Sequence, residues 1–274
     1  MKIACLSGKG GAGKTLVAVN LAYAAGKATY IDCDVEEPNG RLFWKPAQVE
    51  TTTVSTLLPT FDPAKCTGCK KCIQFCRFHA LIYIKEKPMV FSEVCHSCGG
   101  CQLVCPEGAV SEREKPIGVL EIGQSGAVQV VSGVLNPGET SGIPLIRQAL
   151  RQAGEVTILD CPPGSACSVM ECVMDADRCL LVAEPTAFGF HNFQMVYQLV
   201  TLLKKPCAVV INKQDAPYEP LETFCQQNGL PILARIPYDP QLAALSARGD
   251  IASQQDGRIL ALFQDLLAKT GGMV

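Results

Sequence analysis

The chain has 274 residues, of which 48% are hydrophobic, and 24 Lys and Arg against 26 Asp and Glu leave a formal net charge of -2. That much apolar surface supports a large core and excludes a mostly disordered chain. The near balance of charge leaves no electrostatic footprint for nucleic acid, and no apolar run reaches the ~20 residues that span a bilayer.

The first apolar run, Lys2–Ser7, reads as a buried strand, and the segment turns glycine-rich too soon for a signal peptide, so a cytoplasmic chain is expected. Next come Gly8-Lys9-Gly10-Gly11-Ala12-Gly13-Lys14-Thr15, the pattern G-x-x-x-x-G-K-[ST], and a helical stretch over Lys14–Ala25. Strand, glycine loop and helix in that order are the context a phosphate-binding loop requires. Glycines let backbone amides turn toward phosphate oxygens, and the helix N-terminus adds a dipole that favours anions. Lys14 is expected on the β- and γ-phosphates of ATP and the Thr15 hydroxyl on Mg²⁺. Strand Ala28–Asp32 delivers Asp32 and Asp34 to its carboxyl end, where ligands of parallel sheets bind. Asp34 is read as a Mg²⁺ or water-positioning carboxylate and Asp32 as structural.

Sixteen cysteines in a chain of this kind point to metal. Eight of them fall between Cys66 and Cys105, as Cys66-x₂-Cys69-x₂-Cys72-x₃-Cys76 and Cys95-x₂-Cys98-x₂-Cys101-x₃-Cys105. This is the spacing of bacterial two-cluster ferredoxins, in which the last cysteine of each run serves the other cluster. Cys66, Cys69, Cys72 and Cys105 are therefore expected to hold one [4Fe–4S] cluster and Cys76, Cys95, Cys98 and Cys101 the other; zinc is the rival metal. Pro59, Asp62-Pro63 and Glu112–Pro116 read as exposed connections. Residues 60–115 are thus expected to form a small α+β ferredoxin-like unit, inserted into a larger one made of residues 1–59 and 116–274.

Beyond it, Ala127–Ser132, Val156–Asp160, Cys179–Ala183, Cys207–Ile211 and Ile232–Ile236 read as strands, and Ile143–Gln152, Phe193–Leu203 and Leu221–Asn228 as helices. Such alternation predicts an α/β fold, a mostly parallel sheet with helices on both faces. Asp160, at a strand end, is a second Mg²⁺ candidate. Asn212, at another, is a candidate for contact with the nucleotide base. Near the C-terminus Ile259, Leu262, Phe263, Leu266 and Leu267 form a helical apolar stripe. The opposite face is only weakly basic, so packing on the sheet is expected rather than membrane binding.

Lys9-Gly-Gly-Ala-Gly-Lys14-Thr15, Asp32-Cys-Asp34-Val-Glu-Glu-Pro38-Asn39, the two cysteine runs, Asp160-Cys-Pro-Pro-Gly164 and Glu184-Pro185-Thr186 together resemble the MinD/Mrp branch of P-loop ATPases. This branch has a deviant phosphate loop and includes the nitrogenase iron protein; the resemblance is closest to members with an inserted ferredoxin domain. It implies a homodimer that sandwiches two nucleotides. In that pattern Lys9 reaches across to the partner's nucleotide, Asp34 positions the hydrolytic water and Asp160 holds Mg²⁺ through its water shell. Some relatives hold a metal cluster between subunits, which makes Cys161, Cys167 and Cys172 candidate interface ligands. The first functional expectation is an ATP-driven dimer switch that gates electron flow through two clusters to a partner protein. The alternatives are an ATPase that assembles or delivers a metal cofactor to a receiving protein, and a MinD-like positioning switch with structural clusters.

Overall fold

In the computed structural model, which describes residues 1–273, the first apolar run is β1 (Lys2–Leu6), joined through the glycine loop to α1 (Lys14–Ala24). There follow β2 (Ala28–Asp32), α2 (Gly40–Trp44) and a long β3 (Val49–Phe61). The cysteine-rich stretch carries α3 (Lys71–Phe75), the hairpin β4 (Leu81–Ile84) and β5 (Lys87–Val90), and α4 (Gly100–Leu103). The chain returns along β6 (Val110–Ser125) to β7 (Val128–Leu135), α5 (Ile143–Leu150), β8 (Thr157–Asp160), α6 (Cys167–Asp175) and β9 (Arg178–Ala183). The remainder is α7 (Ala187–Leu202), β10 (Cys207–Gln214), α8 (Glu219–Gln227), β11 (Ile232–Pro237), α9 (Pro240–Ala247), α10 (Ala252–Gln255) and α11 (Gly257–Gly271).

Nine strands form one sheet in the order β11-β10-β9-β1-β8-β2-β7-β6-β3. All neighbours from β11 to β7 are parallel, and β7–β6 and β6–β3 are antiparallel. Parallel strands need cover on both faces, and two cores supply it. One packs Leu145 and Ile146 of α5, Val169 and Val173 of α6, Phe193 of α7 and Leu221 of α8 against the sheet. The other packs Val17 and Leu21 of α1, Trp44 of α2 and Phe263 and Leu266 of α11 against the opposite face. The C-terminal stripe is therefore core. Each such side chain contributes roughly 1.5–3 kcal/mol on full burial. α1 is apolar nearly all round because it lies between the sheet and α11, and its one buried amide, Asn20, is satisfied. Its Nδ2 donates to Leu16 O at 2.8 Å and its Oδ1 accepts from Ser253 N at 2.7 Å.

The sequence reading differs from the structure at the flanks of the cysteine-rich stretch. Pro59 and Glu112–Pro116 are strand residues, paired along the β3–β6 ladder from Val49↔Gly123 to Phe61↔Val110. The run Val-Glu-Thr-Thr-Thr-Val-Ser-Thr has the β-branched composition of an edge strand. Pro116 is tolerated because the ladder is irregular between Val54 and Ser55, where Ser55 faces Pro116. With this topology β1, β2, β8, β9 and β10 all discharge their carboxyl ends on one edge of the sheet, which builds the site.

Candidate nucleotide site and thiol cavities

The glycine loop lines a cleft of about 570 Å³, open at its mouth, together with Asp34, Asn212, Lys213 and Tyr238. Gly13 has φ +93°, and a Cβ there would lie 1.9 Å from Asn212 Nδ2, so only glycine fits where loop becomes helix. Asn212 Nδ2 donates to Ala12 O at 2.8 Å, and Lys213 Nζ donates to Gly11 O at 2.7 Å. The strand end β10 thus braces the loop, and one amide proton of Asn212 is committed to it. Lys213 escaped the sequence reading, because a lysine after a strand carries no mark of its partner.

Lys14 is buried, and its Nζ donates to Asp160 Oδ1 at 2.5 Å. Burial alone lowers a lysine's pKa, but the Asp160 carboxylate outweighs it and holds Lys14 above the ordinary value. Tyr30 donates its hydroxyl to the other oxygen, Asp160 Oδ2, at 2.7 Å. Nothing in the sequence marks Tyr30; a buried tyrosine hydroxyl needs a partner, and the fold supplies this one. Asp32 accepts from Asp34 N at 3.1 Å and from Gly40 N at 2.7 Å. It thereby fixes the turn that presents Asp34 and the start of α2. Burial, then the neighbouring Asp160 charge, push Asp32 up to about 7. Asp34 is half-buried and also raised, chiefly by burial. Lys9 does not point into open solvent. Its Nζ lies 2.7 Å from Glu184 Oε2 and 5.3 Å from the ring centroid of Phe188.

The clustered cysteines surround two further cavities. Cys66, Cys69, Cys72 and Cys105 line one of about 20 Å³. Cys76, Cys95, Cys98 and Cys101 line another of about 30 Å³. The sequence repeat is repeated in backbone. Gly68 (φ +72°) and Lys70 (φ +59°) flank Cys69 as Ser97 (φ +52°) and Gly99 (φ +71°) flank Cys98. His79 and Gly108, each three residues past the last cysteine of a run, are also left-handed. Such turns aim amides inward. Ala109 N donates to Cys105 Sγ at 3.3 Å. Amide donors of this kind stabilise thiolates. Among the described residues, no three His, Cys, Asp or Glu side chains converge tightly enough to hold a single metal ion.

Cys161, Cys167 and Cys172 are not brought together at a surface. Cys161 and Cys172 are 0% exposed in the core, while Cys167 is exposed. Cys161 and Cys172 present no surface through which to share a metal with a second subunit. The fold instead buries Cys161 and Cys172 in the same core as Cys33, and Cys172 Sγ donates to Ser168 O at 3.3 Å.

The profile of CbiA, the CobQ/CobB/MinD/ParA nucleotide binding domain, matches residues 3–252. The chain belongs to this family. Two uncharacterized proteins of Methanocaldococcus jannaschii are similar to this CobQ/CobB/MinD/ParA member along most of its length. One is 30% identical over 229 residues, 78% of each chain, and the other 26% identical over 221 residues, 78% of this chain and 80% of the relative. A shorter match joins 20% of the chain to 39% of the adenylylsulfate reductase beta subunit of Megalodesulfovibrio gigas, 37% identical over 65 residues. Among solved structures, the fold is similar to Pyrococcus horikoshii septum site-determining protein MinD complexed with Mg-ADP, with TM-score 0.62, 18% identity, and 99% and 96% of the two chains covered. An ATP complex of a Cyanothece McdA variant gives TM-score 0.60, 14% identity, and 98% and 96% coverage. The family's fold is thus that of P-loop ATPases of the MinD/ParA kind. No helix among the described residues is long and apolar enough to cross a membrane.

Proposed function

We propose that this family member binds ATP and Mg²⁺ in the glycine-loop cleft, hydrolyses ATP as a homodimeric switch, and relays electrons through two [4Fe–4S] clusters to a partner protein. Amides of Gly8, Gly10, Gly11, Ala12 and Gly13 cradle the phosphates, and Lys14 neutralises their charge. The Thr15 hydroxyl and Asp160 would hold Mg²⁺, which polarises the phosphate oxygens when bound. For ATP to be engaged, Lys14 must exchange the Asp160 carboxylate for phosphate. Asp34, presented by the Asp32 turn, orients the attacking water, and Asn212 directs its second amide proton toward the base. Lys9 leaves Glu184 to reach the partner's nucleotide. In phosphoryl transfer such positioning and charge neutralisation supply nearly all the catalysis.

Residues 60–115 are the inserted redox unit. The residues fit the group: Cys66, Cys69, Cys72 and Cys105 would hold one cluster, and Cys76, Cys95, Cys98 and Cys101 the other. A lone zinc, with bonds of ~2.3 Å, draws its four thiols closer together than a multi-atom cluster does, and thiols standing around a void suit the cluster. The clusters supply one-electron transfer. The partial similarity to a reductase subunit supports a redox role over a positioning switch.

The observation that carries this reading is the presence in one chain of a family glycine loop and two cavities, each ringed by three thiols of one repeat and the fourth of the other. The test is anaerobic purification with bound partners, followed by iron and sulfide analysis, electron paramagnetic resonance of the reduced protein, and partner reduction with and without ATP. About eight irons per chain, a reducible cubane signal and ATP-dependent partner reduction are expected. Stoichiometric zinc, or partner reduction indifferent to ATP, would sink it.

A further inference from the structure

We infer that Lys115 and Glu139 form a strut between the nucleotide cleft and the second thiol cavity, through which nucleotide binding and the redox state of the insert bias each other. At the cleft, Asp34 lines the wall and its neighbour Val35 is buried. Val35 O accepts from Leu135 N, at the end of β7, at 2.9 Å. A Cβ on Gly133 would lie 2.6 Å from Val35 Cγ1, and one on Gly142 would lie 2.4 Å from Val35 Cγ2. The valine is thus wedged between β7 and the far end of the loop 136–142. Close-packed interiors transmit strain, so a displacement of Asp34–Val35 is passed to that loop. Within the loop, Glu139 Oε2 accepts from Lys115 Nζ at 2.7 Å, with side chains 13% and 19% exposed. Lys115 Nζ also donates to Ser92 O at 3.3 Å. Ser92 lies three residues before Cys95, which lines the second cavity.

Beyond the β3–β6 ladder, the Lys115–Ser92 bond is the one hydrogen bond among the described residues that ties residues 62–109 to the rest of the chain. A two-stranded ribbon twists readily, and Lys115, on β6, fixes the ribbon against both the insert and the loop 136–142. Ion pairs of this exposure add little net stability, but a charge-assisted bond is directional and sets orientation. Coupling between two sites requires that each alter a contact they share. The shared contact is Lys115–Glu139. Nucleotide and Mg²⁺ engage Asp34 and so displace Val35 and the loop that carries Glu139. Reduction by one electron from an external reductant adds negative charge to the cavity lined by Cys95 and Glu112, and draws the Lys115 ammonium away from Glu139. The contacts belong to the structure itself; the nucleotide at one end and the reducible group at the other rest on the proposed function.

The experiment measures binding of a slowly hydrolysed ATP analogue to the anaerobic holoprotein, once as oxidised and once as reduced with dithionite. The two dissociation constants should differ by about fivefold in the wild type, which by reciprocity is a ~40 mV shift in potential at ~59 mV per tenfold for one electron. Glu139→Ala keeps the Lys115 charge and its bond to Ser92. In that variant the ratio should fall to about one, with iron content and the affinity of the oxidised protein within about twofold of the wild type. Lys115→Met should behave in the same way, while Lys115→Arg, which keeps charge and reach, should keep a ratio above about two. Amide hydrogen exchange around residues 92–95 gives a second readout. The analogue should change it about threefold or more in the wild type and leave it unchanged in Glu139→Ala. A wild-type ratio in a Glu139→Ala protein of lowered thermal midpoint would mark the pair as a structural tie and overturn the coupling. A ratio of one in the wild type overturns it too, and leaves ATP binding standing. If the analogue binds neither form, the proposed function fails and the coupling with it. If the iron cannot be reduced, the electron-transfer reading fails, and the exchange comparison still decides whether the strut links the cleft to the loop before Cys95.

Discussion

Lys14 Nζ and Asp160 Oδ1 are 2.5 Å apart, in an ion pair whose side chains are 8% and 1% exposed. Two charges so far from water are sustainable only as partners, since removal of one strands the other at a cost of roughly 3–5 kcal/mol. The same lysine is the group expected on the phosphates. Lys14→Ala should therefore lower ATP turnover by at least ~100-fold, the scale of losing one preorganised charge at a phosphoryl site. It should also lower the thermal midpoint, because only Tyr30 then faces Asp160. Iron content should stay at the wild-type level, since the thiol cavities lie in a separate stretch of chain. Loss of iron in this variant would show the two parts to be interdependent.

Asp34 is poised differently. It is half-buried, lines the cleft and carries no ion pair among the described residues. Asp34→Asn should keep the turn, because Asp32 binds the backbone amide of residue 34 and not its side chain. Turnover is expected to fall about 10- to 100-fold, with nucleotide affinity changed by less than about threefold. Single-turnover hydrolysis and equilibrium binding measure the two effects separately. Unchanged turnover would remove Asp34 from the mechanism.

The raised pKa of Asp32 makes a prediction about stability. Its folded value of about 7 lies above the ordinary aspartate value of 3.8, so between those limits the folded state binds more protons than the unfolded one. Stability from this group is then fully present below about pH 4 and is lost as pH rises to about 7, with a limiting slope of about 1.4 kcal/mol per pH unit. Thermal melts of the nucleotide-free protein between pH 5 and 8 should show this decline. In Asp32→Asn that part of the slope should vanish, and an identical slope in the two proteins would contradict the assignment.

Lys9 and Glu184 make a pair of the opposite kind, 22% and 19% exposed, so water screens it and its net worth is about 0.5–1 kcal/mol. If dimer formation draws Lys9 away, Glu184→Gln should favour the dimer by about two- to fivefold in association constant at fixed ATP. Sedimentation with a slowly hydrolysed ATP analogue measures this. A dimer weakened in Glu184→Gln would mean that Glu184 acts across the interface and does not restrain Lys9 within its own chain.

The parallel core was legible because strands buried on both faces read as unbroken apolar runs, as in Ile3–Leu6 and Val209–Ile211. β3 was not, because it is an edge strand with exposed threonines and its partner β6 lies beyond the whole cysteine-rich stretch. The glycine loop and the cysteine runs are contiguous motifs whose spacing carries their chemistry. The contacts of Tyr30 with Asp160 and of Lys213 with Gly11 join residues far apart in the chain, and no local pattern announces them. The core thiols illustrate the limit best. Residues 33, 161 and 172 look like scattered hydrophobes until the register Asp32↔Asp160 sets the first two side by side.

The same logic of shared positions bears on Cys76 and Cys105. Each closes the cavity otherwise lined by the opposite run, so Cys105 stands with Cys66, Cys69 and Cys72, and Cys76 with Cys95, Cys98 and Cys101. Replacing both by serine removes one thiolate from each set while leaving every C-x₂-C-x₂-C triplet intact. If each run bound its own metal, both triplets would remain self-contained. With ligands exchanged between runs, both clusters lose their fourth anchor at once, and iron per chain should fall by about half or more. A reduced sample should lose its paired-cluster resonance in favour of isolated or three-iron signals. Hydrolysis of ATP should persist, since the glycine loop shares no side chain with either cavity. Wild-type iron content in the double variant would disprove the crossed ligation.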